Sequence, residues 1–499
     1  MTIKLKKLLK DISFQQIKGS KEIDITGVCA NSQLVAPGNL FIARKGKSVD
    51  GALYIPQAVA AGASAVITDL YDPLLNKNVT QILHPDPGAI EGLIAATYHE
   101  FPSDELFMVG ITGTNGKTTT AFLVKYLLDN LDGLCGLIGT IEYIIGTHRY
   151  RATRTTPDVS STQKMLREMV LQKCRHAVME VTSHALDQHR VDYVDFDTAI
   201  FTNLTLDHLD YHQTMENYFL AKQKLFQHLN SAKIKPNSSY AKTSIINLDT
   251  PWSERLLGNC TGNTLTYGMQ PGADLFVSNV KLRSNGSEIS VRYRKSTKTY
   301  QFPLAGRFNV YNCLAAMAVA LTRGFTLNDI AEVLQKMPPI NGRLEFVPNA
   351  LGLKIYVDFA HTDDALLNVL ECLNEFKTGR LICVFGCGGN RDASKRPKMA
   401  QIAESHADIV IITSDNPRDE HPLSIAAQVA AGFKNPHQHI QELDRYRAIE
   451  IAIDMATAED TILIAGKGHE THQIFGYKTI SFDDRLVATE ICEKKVARQ

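Results

Sequence analysis

Residues 106–130 read LFMVGITGTNGKTTTAFLVKYLLDN. The first third is an apolar strand, the middle is a run of small residues around Lys117, and the last third carries apolar residues at helical spacing. A strand, a glycine-bearing turn and a helix in that order make a phosphate-binding loop. Small residues at Gly113, Thr114, Asn115 and Gly116 let the backbone wrap around phosphate oxygens, and the helix start supplies positive potential. Lys117 is placed to reach the outer phosphates. Thr118, followed by Thr119, offers a hydroxyl to Mg2+. Five residues, where the strict pattern has four, separate Gly110 from Gly116, so the loop is a variant, G-x-x-G-T-N-G-K-T. The bland alternative is a Gly/Thr-rich turn with an incidental lysine; the flanking strand and helix favour a nucleotide.

Three further apolar runs follow: CRHAVMEV, FDTAIFTN and SIINLD. Helix-like stretches separate them, which predicts a mostly parallel sheet. An alternating region over 272–304 predicts antiparallel strands added to it. Helices are expected from Asn309 to about Thr322 and from Leu327 to Lys336, and Pro338-Pro339 ends that unit. Beyond it, LKIYVDF, RLICVFG, DIVIIT and TILIAG repeat an α/β rhythm. Before residue 103, GNLFIARKG, ALYIPQAVAAG and ASAVIT form a smaller α/β unit, punctuated by Pro85, Pro87 and Pro102. The expected fold is therefore α/β in three domains: 1–103, 104–337 with a central P-loop mononucleotide-binding parallel sheet, and 338–499, Rossmann-like. A length of 499 residues at ~150 residues per domain gives the same count.

Composition narrows the classes. Lys plus Arg and Asp plus Glu both number 53, so the net charge is zero. A nucleic-acid binder relying on bulk charge would be basic. With 44% hydrophobic and 21% charged residues, the chain has enough apolar surface for packed cores, unlike a disordered one. No apolar run approaches the ~18 residues a membrane span needs. The N-terminus, MTIKLKKLLKDISF, lacks a secretory pattern. Nine cysteines without a Cys-x-x-Cys pair fit a reducing cytoplasm better than a disulfide framework.

Open parallel sheets bind ligands beyond the carboxyl ends of their strands, so the strand ends carry the candidates. Glu180 ends AVMEV and is suited to partner the Mg2+ of a P-loop; a solvated or capping glutamate is the alternative. Thr182-Ser183-His184 follows it. After the next strand come Asp207, His208, Asp210 and His212. His208 and His212 are four apart, a spacing that invites zinc on one helix face. A second Mg2+ or phosphate contact, and a plain polar loop, are the other readings. Asn309 reads as an N-cap sharing a face with Asn312. Arg343 follows the proline linker, where domain closure could carry it to ATP.

GTNGKTTT together with TTPD, EVTSHAL, DHLDYH, GRFNVYN, NGRLE, GCGGNRD, DNPR and GKGHE resembles the Mur ligases over the whole chain. That resemblance implies ATP as co-substrate and Mg2+ held by Thr118, Glu180, His208 and a carbamylated Lys222 (in YFLAKQKLF), with Lys117 on the γ-phosphate. It places Asn309 and Asn312 near adenine, and Arg343, Asp358 and His361 near the nucleotide. It gives Ser32, Thr155, Thr156, Ser183 and Arg190 to a UDP-sugar peptide, although Asn31-Ser32-Gln33 departs from the usual Asp-Ser-Arg. Arg391, Asp415, Asn416, Arg418, Gly466 and Glu470 fall to the incoming amino acid. The implied substrates are UDP-N-acetylmuramoyl-L-alanyl-D-glutamate and, because Asp-Asn-Pro-Arg carries an Arg for a second carboxylate, meso-2,6-diaminopimelate. A lysine-adding Mur ligase and a ligase like folylpolyglutamate synthetase are the alternatives. A monomer is expected.

Overall fold

The computed structural model describes residues 2–46, 49–231, 235, 241–283, 285–435 and 439–498. Three larger sheets organise them. The central sheet has eleven strands. Its parallel part runs, in spatial order, Cys135–Ile138, His176–Glu180, Phe107–Thr112, Thr198–Phe201, Thr243–Asn247 and Asn263–Gly268. Both faces of these strands are covered, so apolar residues occupy successive positions instead of alternating ones. Val109, Ile111, Val178, Ile200 and Ile245 pack against the helices Lys117–Leu131 and Arg307–Thr322. Met108, Ala177, Met179 and Phe201 pack on the other side with Phe219, Leu225 and Phe226 of the helix Met215–Ser231. Leu275–Arg283 joins one edge in parallel and opens the antiparallel meander Gly286–Tyr293 and Ser296–Phe302, matching the alternation over 272–304. The hairpin Glu142–Ile145 and His148–Arg151 extends the other edge.

Register decides where chemistry gathers. Glu180 lies opposite Ile111, and Phe201 opposite Thr112. Whatever follows Thr112, Glu180 and Phe201 therefore emerges at one edge of the sheet.

Two local expectations are corrected. The helix predicted from Asn309 begins at Arg307, capped by Gly306 at φ 98°. Glycine takes that backbone conformation without strain, so Asn309 falls inside the first turn and its Nδ2 turns back to donate to the Ala305 carbonyl at 2.8 Å. His208 and His212 do not sit on one continuous helix. The helix there is only Leu209–His212, and His208 precedes it with φ 55°.

The C-terminal sheet has six strands in the order Glu345–Phe346, Lys354–Asp358, Thr461–Ala465, Leu381–Phe385, Ile409–Ile412 and His439–Gln441. All are parallel except the first pairing. Apolar clusters cover both faces. The five-stranded N-terminal sheet orders Gln16–Lys18, Thr80–Leu83, Ala65–Thr68, Asn39–Ile42 and Gly27–Cys29, and only Gln16–Lys18 pairs antiparallel. Among the described residues, no helix is long and apolar enough to cross a membrane.

Candidate active site

The phosphate loop is gripped from two sides. Thr202 Oγ1 donates to the Asn115 carbonyl at 2.7 Å, and Asn203 accepts from the amides of Thr114 and Asn115 at 2.9 Å each. On the other side, Gly116 has φ 83°, and a Cβ there would lie 2.3 Å from Asn312 Oδ1. Asn312 also accepts from Thr120 Oγ1 at 3.2 Å and donates to Asn309 at 3.1 Å. The two asparagines thus pack directly behind the loop.

Two lysines converge on one carbonyl. Lys117 Nζ donates to the Gly113 and Thr114 carbonyls at 2.9 and 2.8 Å. Lys222 Nζ donates to the Gly113 carbonyl at 2.8 Å and sits 4.4 Å over the Tyr218 ring. Lys222 is only 2% exposed, so it is not an ordinary surface lysine. Burial first, and then the neighbouring Lys117 charge, push its pKa well below the usual lysine value. Burial also lowers Lys117, opposed by Glu180 and Asp207.

Beside them lies a cluster of oxygens. Glu180 Oε2 accepts from Thr118 Oγ1 at 2.9 Å and from Thr140 Oγ1 at 3.0 Å, while Oε1 accepts from the Thr140 amide at 2.7 Å. Glu180 is buried, which removes the solvated reading. Three oxygen-bearing side chains in contact suit a hard cation such as Mg2+. Thr140 has no sequence signature; only the fold brings it here. Thr155 lies 3.1 Å from Thr140, hydroxyl to hydroxyl. Thr156 donates to the Glu180 carbonyl at 2.8 Å, and Arg190 donates to the Thr156 carbonyl at 3.1 Å. Ser183 Oγ is 2.9 Å from His212 Nε2. His208 and His212 both pack against His184, ring centroids 4.8 and 5.4 Å apart, and His212 also reaches Ser183. Ser32 is held within the first domain by Gln57 at 2.9 Å, and Asn31 caps its turn by accepting from the Gln33 amide.

The third domain docks onto this edge. Arg343, just beyond the prolines, donates to Thr118 Oγ1 at 3.0 Å and stacks over Phe359 at 4.9 Å. Asp358 accepts from the Leu344 and Ala360 amides at 2.6 and 2.7 Å, fixing the linker beside Arg343. Burial raises its carboxyl to about 6. His361 Nδ1 bonds the Phe359 carbonyl at 2.8 Å. Asp364, which sequence reasoning missed, accepts from Thr205 Oγ1 at 3.0 Å and from the Asn115 side chain.

A second cluster of polar and charged side chains gathers at the ends of the C-terminal strands. Arg418 adopts φ 53° and donates to the Gly389 carbonyl at 2.7 Å. Burial first and then nearby Arg391 lower its pKa; both side chains flank Gly388, where a Cβ would lie 3.0 Å from Arg418 Nη1 and 3.9 Å from Arg391 Cγ. Asn416 Nδ2 donates to Glu470 at 2.8 Å, and buried Lys467 bonds both at 3.2 and 3.0 Å. Gly466, φ 110°, leaves room for Asp415, whose Oδ2 a Cβ would approach to 2.7 Å.

Fold and site place the chain among P-loop enzymes assembled from α/β domains. It matches the Mur ligase middle domain over residues 111–320, the Mur ligase glutamate ligase domain over 342–468 and the Mur ligase family catalytic domain over 24–96. The chain belongs to the Mur ligase family, ATP-dependent ligases of peptidoglycan synthesis. It is 40% identical to a UDP-N-acetylmuramoyl-L-alanyl-D-glutamate--2,6-diaminopimelate ligase from Caldanaerobacter subterraneus subsp. tengcongensis, covering 98% of this chain and 99% of that one. It is equally 40% identical to the ligase of that name from Chlamydia pneumoniae, over 98% and 99%. A solved structure of a ligase with the same name superposes with a TM-score of 0.68 at 30% identity, covering 99% of this chain and 100% of that one. A Thermotoga maritima MurF ligase in complex with ADP shares the fold at TM-score 0.65 and 18% identity, over 95% and 98%.

Proposed function

We propose that this chain joins meso-2,6-diaminopimelate to the D-glutamyl γ-carboxylate of UDP-N-acetylmuramoyl-L-alanyl-D-glutamate, with ATP as co-substrate. The observation that carries the amino-acid choice is that Arg391 and Arg418 both flank Gly388, with Asn416 and Glu470 hydrogen-bonded in the same set of strand-end loops. Two guanidinium groups suit a substrate with two carboxylates, and Glu470 suits an ammonium. Asp415 and Gly466 shape the same pocket.

The γ-carboxylate attacks the γ-phosphorus of ATP, giving an acyl phosphate and ADP. The neutral amine of diaminopimelate then attacks the activated carbonyl, and the tetrahedral intermediate expels phosphate. Lys117 and Arg343 offset charge on the transferring phosphoryl group. Gly113, Thr114, Asn115, Gly116, Thr118 and Thr119 cradle the phosphates; Asn309, Asn312, Asp358 and His361 surround the nucleotide. Thr155, Thr156, Ser183 and Arg190 orient the acceptor, whose uridine end reaches Ser32 in the first domain. Thr118 and Glu180 would hold one Mg2+, and His208 with Lys222 a second, where the metal neutralises phosphoryl charge. An amine ligates Mg2+ poorly; burial of Lys222 favours its uncharged form, the form that adds CO2. The resulting carbamate, Lys–NH–COO− with one proton released, is an oxygen ligand. Residues 1–103, 104–337 and 338–499 thus take UDP-sugar anchoring, ATP chemistry and amino-acid selection in a cytoplasmic monomer.

Phosphate release assayed with each acceptor and each amino acid tests this reading. Turnover is expected with the UDP-muramoyl dipeptide and meso-diaminopimelate. Equal use of lysine would refute the Arg418 argument, and turnover on a folate acceptor would refute the acceptor assignment.

A further inference from the structure

Three loops leave the C-terminal sheet to make the proposed amino-acid pocket: 386–391, 413–418 and 466–470. Behind them lie two arginines, Arg445 and Arg396, each 1% exposed. Arg445 and Asp484 have fully buried side chains and form a two-pronged pair, Nε to Oδ1 at 2.7 Å and Nη2 to Oδ2 at 2.8 Å. The same guanidinium donates to the Ser414 carbonyl at 3.3 Å and the Ala465 carbonyl at 3.0 Å. Those carbonyls immediately precede Asp415 and Gly466. One rigid planar cation therefore spans two pocket loops and anchors both to the helices Arg445–Met455 and Asp484–Val496.

Arg396 does the same for the third loop. It donates to the Gly388 carbonyl at 3.1 Å and pairs with both Glu420 oxygens at 2.8 and 2.9 Å. Glu420 in turn accepts from the Asn390 amide at 2.5 Å. Gly389, between these anchored residues, is the carbonyl that aims Arg418. A buried ion pair is weak evidence for stability, because apolar residues of similar volume often do as well. Apolar residues cannot hold carbonyls at a fixed distance, and that is what both arginines do here.

We propose that Arg445 and Arg396 are positioning residues that pre-form the amino-acid pocket, setting the geometry of Asp415, Gly466 and Arg418 before the substrate arrives. The inference rests on the pocket assignment made above.

The test uses the full chain. Arg445→Met with Asp484→Leu removes both charges together and leaves no orphaned buried ion. The expected result is a folded enzyme whose KM for diaminopimelate rises about tenfold or more, while the KM for ATP stays within about twofold. A merely structural role would move both or neither. Arg396→Gln is the second variant, since Glu420 is partly exposed and tolerates losing its partner; the same split is expected. Unchanged KM for diaminopimelate in a folded variant overturns the proposal. Arg418→Ala separates the two failures. If it leaves that KM unchanged, the pocket reading itself is wrong. If it raises the KM while the Arg445 and Arg396 variants do not, only the positioning role is wrong.

Discussion

Asp364 ties the third domain to the phosphate loop, and its removal has a distinctive kinetic signature. The side chain accepts from Thr205 Oγ1 at 3.0 Å and from Asn115, both in the central domain. A hydrogen bond to a charged acceptor contributes ~1.5–3 kcal/mol. The carboxylate is only half-buried, so solvent screening brings the two bonds to about 2–3 kcal/mol together. Asp364→Ala should therefore shift the balance between docked and undocked domains by roughly 30- to 150-fold. If catalysis requires docking, kcat falls, by up to that factor. The KM for ATP should hold or fall, because a negative charge beside the phosphate loop has gone. Asp364→Asn keeps one acceptor oxygen and should recover part of the loss. The assay is steady-state ADP release with all substrates saturating, paired with small-angle scattering of the nucleotide-bound protein. Unchanged kcat with an unchanged scattering profile would refute the reasoning, and so would a raised KM for ATP alone.

Gly116→Ala should abolish ATP binding in calorimetry, since its Cβ meets Asn312 at 2.3 Å and φ 83° disfavours any side chain. Glu180→Gln removes the charge from the oxygen cluster and should lower kcat at least about 100-fold while raising the Mg2+ concentration needed for half-maximal rate; a wild-type Mg2+ titration would argue against the metal assignment. His176 is buried, with both ring nitrogens lacking a hydrogen bond and its pKa lowered by burial to about 4. The folded value lies below the unfolded one of about 6.5, so the unfolded chain takes the proton first. Stability is then fully present above pH 6.5 and is lost as pH falls toward 4, by up to about 3 kcal/mol for this residue. Urea midpoints of His176→Phe should fall less steeply across that window, and an unaltered slope would count against it.

Much was legible in the sequence because periodicity and turn chemistry are local. The strand before Gly113, the helix after Lys117 and the antiparallel addition over 272–304 follow from residue order alone. The helix start at Arg307 did not, since Gly306 and Asn309 both compete to cap and only the backbone settles which wins. Spacing places His208 and His212 on one helix face, but the helix is only Leu209–His212 and a left-handed His208 precedes it; both rings nevertheless converge on His184 and Tyr218.

The amino-acid sequence by itself determined the strand, glycine-bearing turn and helix around Lys117 and the α/β rhythm, because short-range pattern carries each. Tertiary structure alone decided that Thr140 completes the Glu180 oxygen cluster, that Lys222 is buried beside Lys117, and that Asp364 reaches Asn115. The physical reason is separation along the chain. Thr140 and Glu180 are 40 residues apart, and Asn115 and Asp364 are 249 apart. Only sheet register and domain docking bring such groups together.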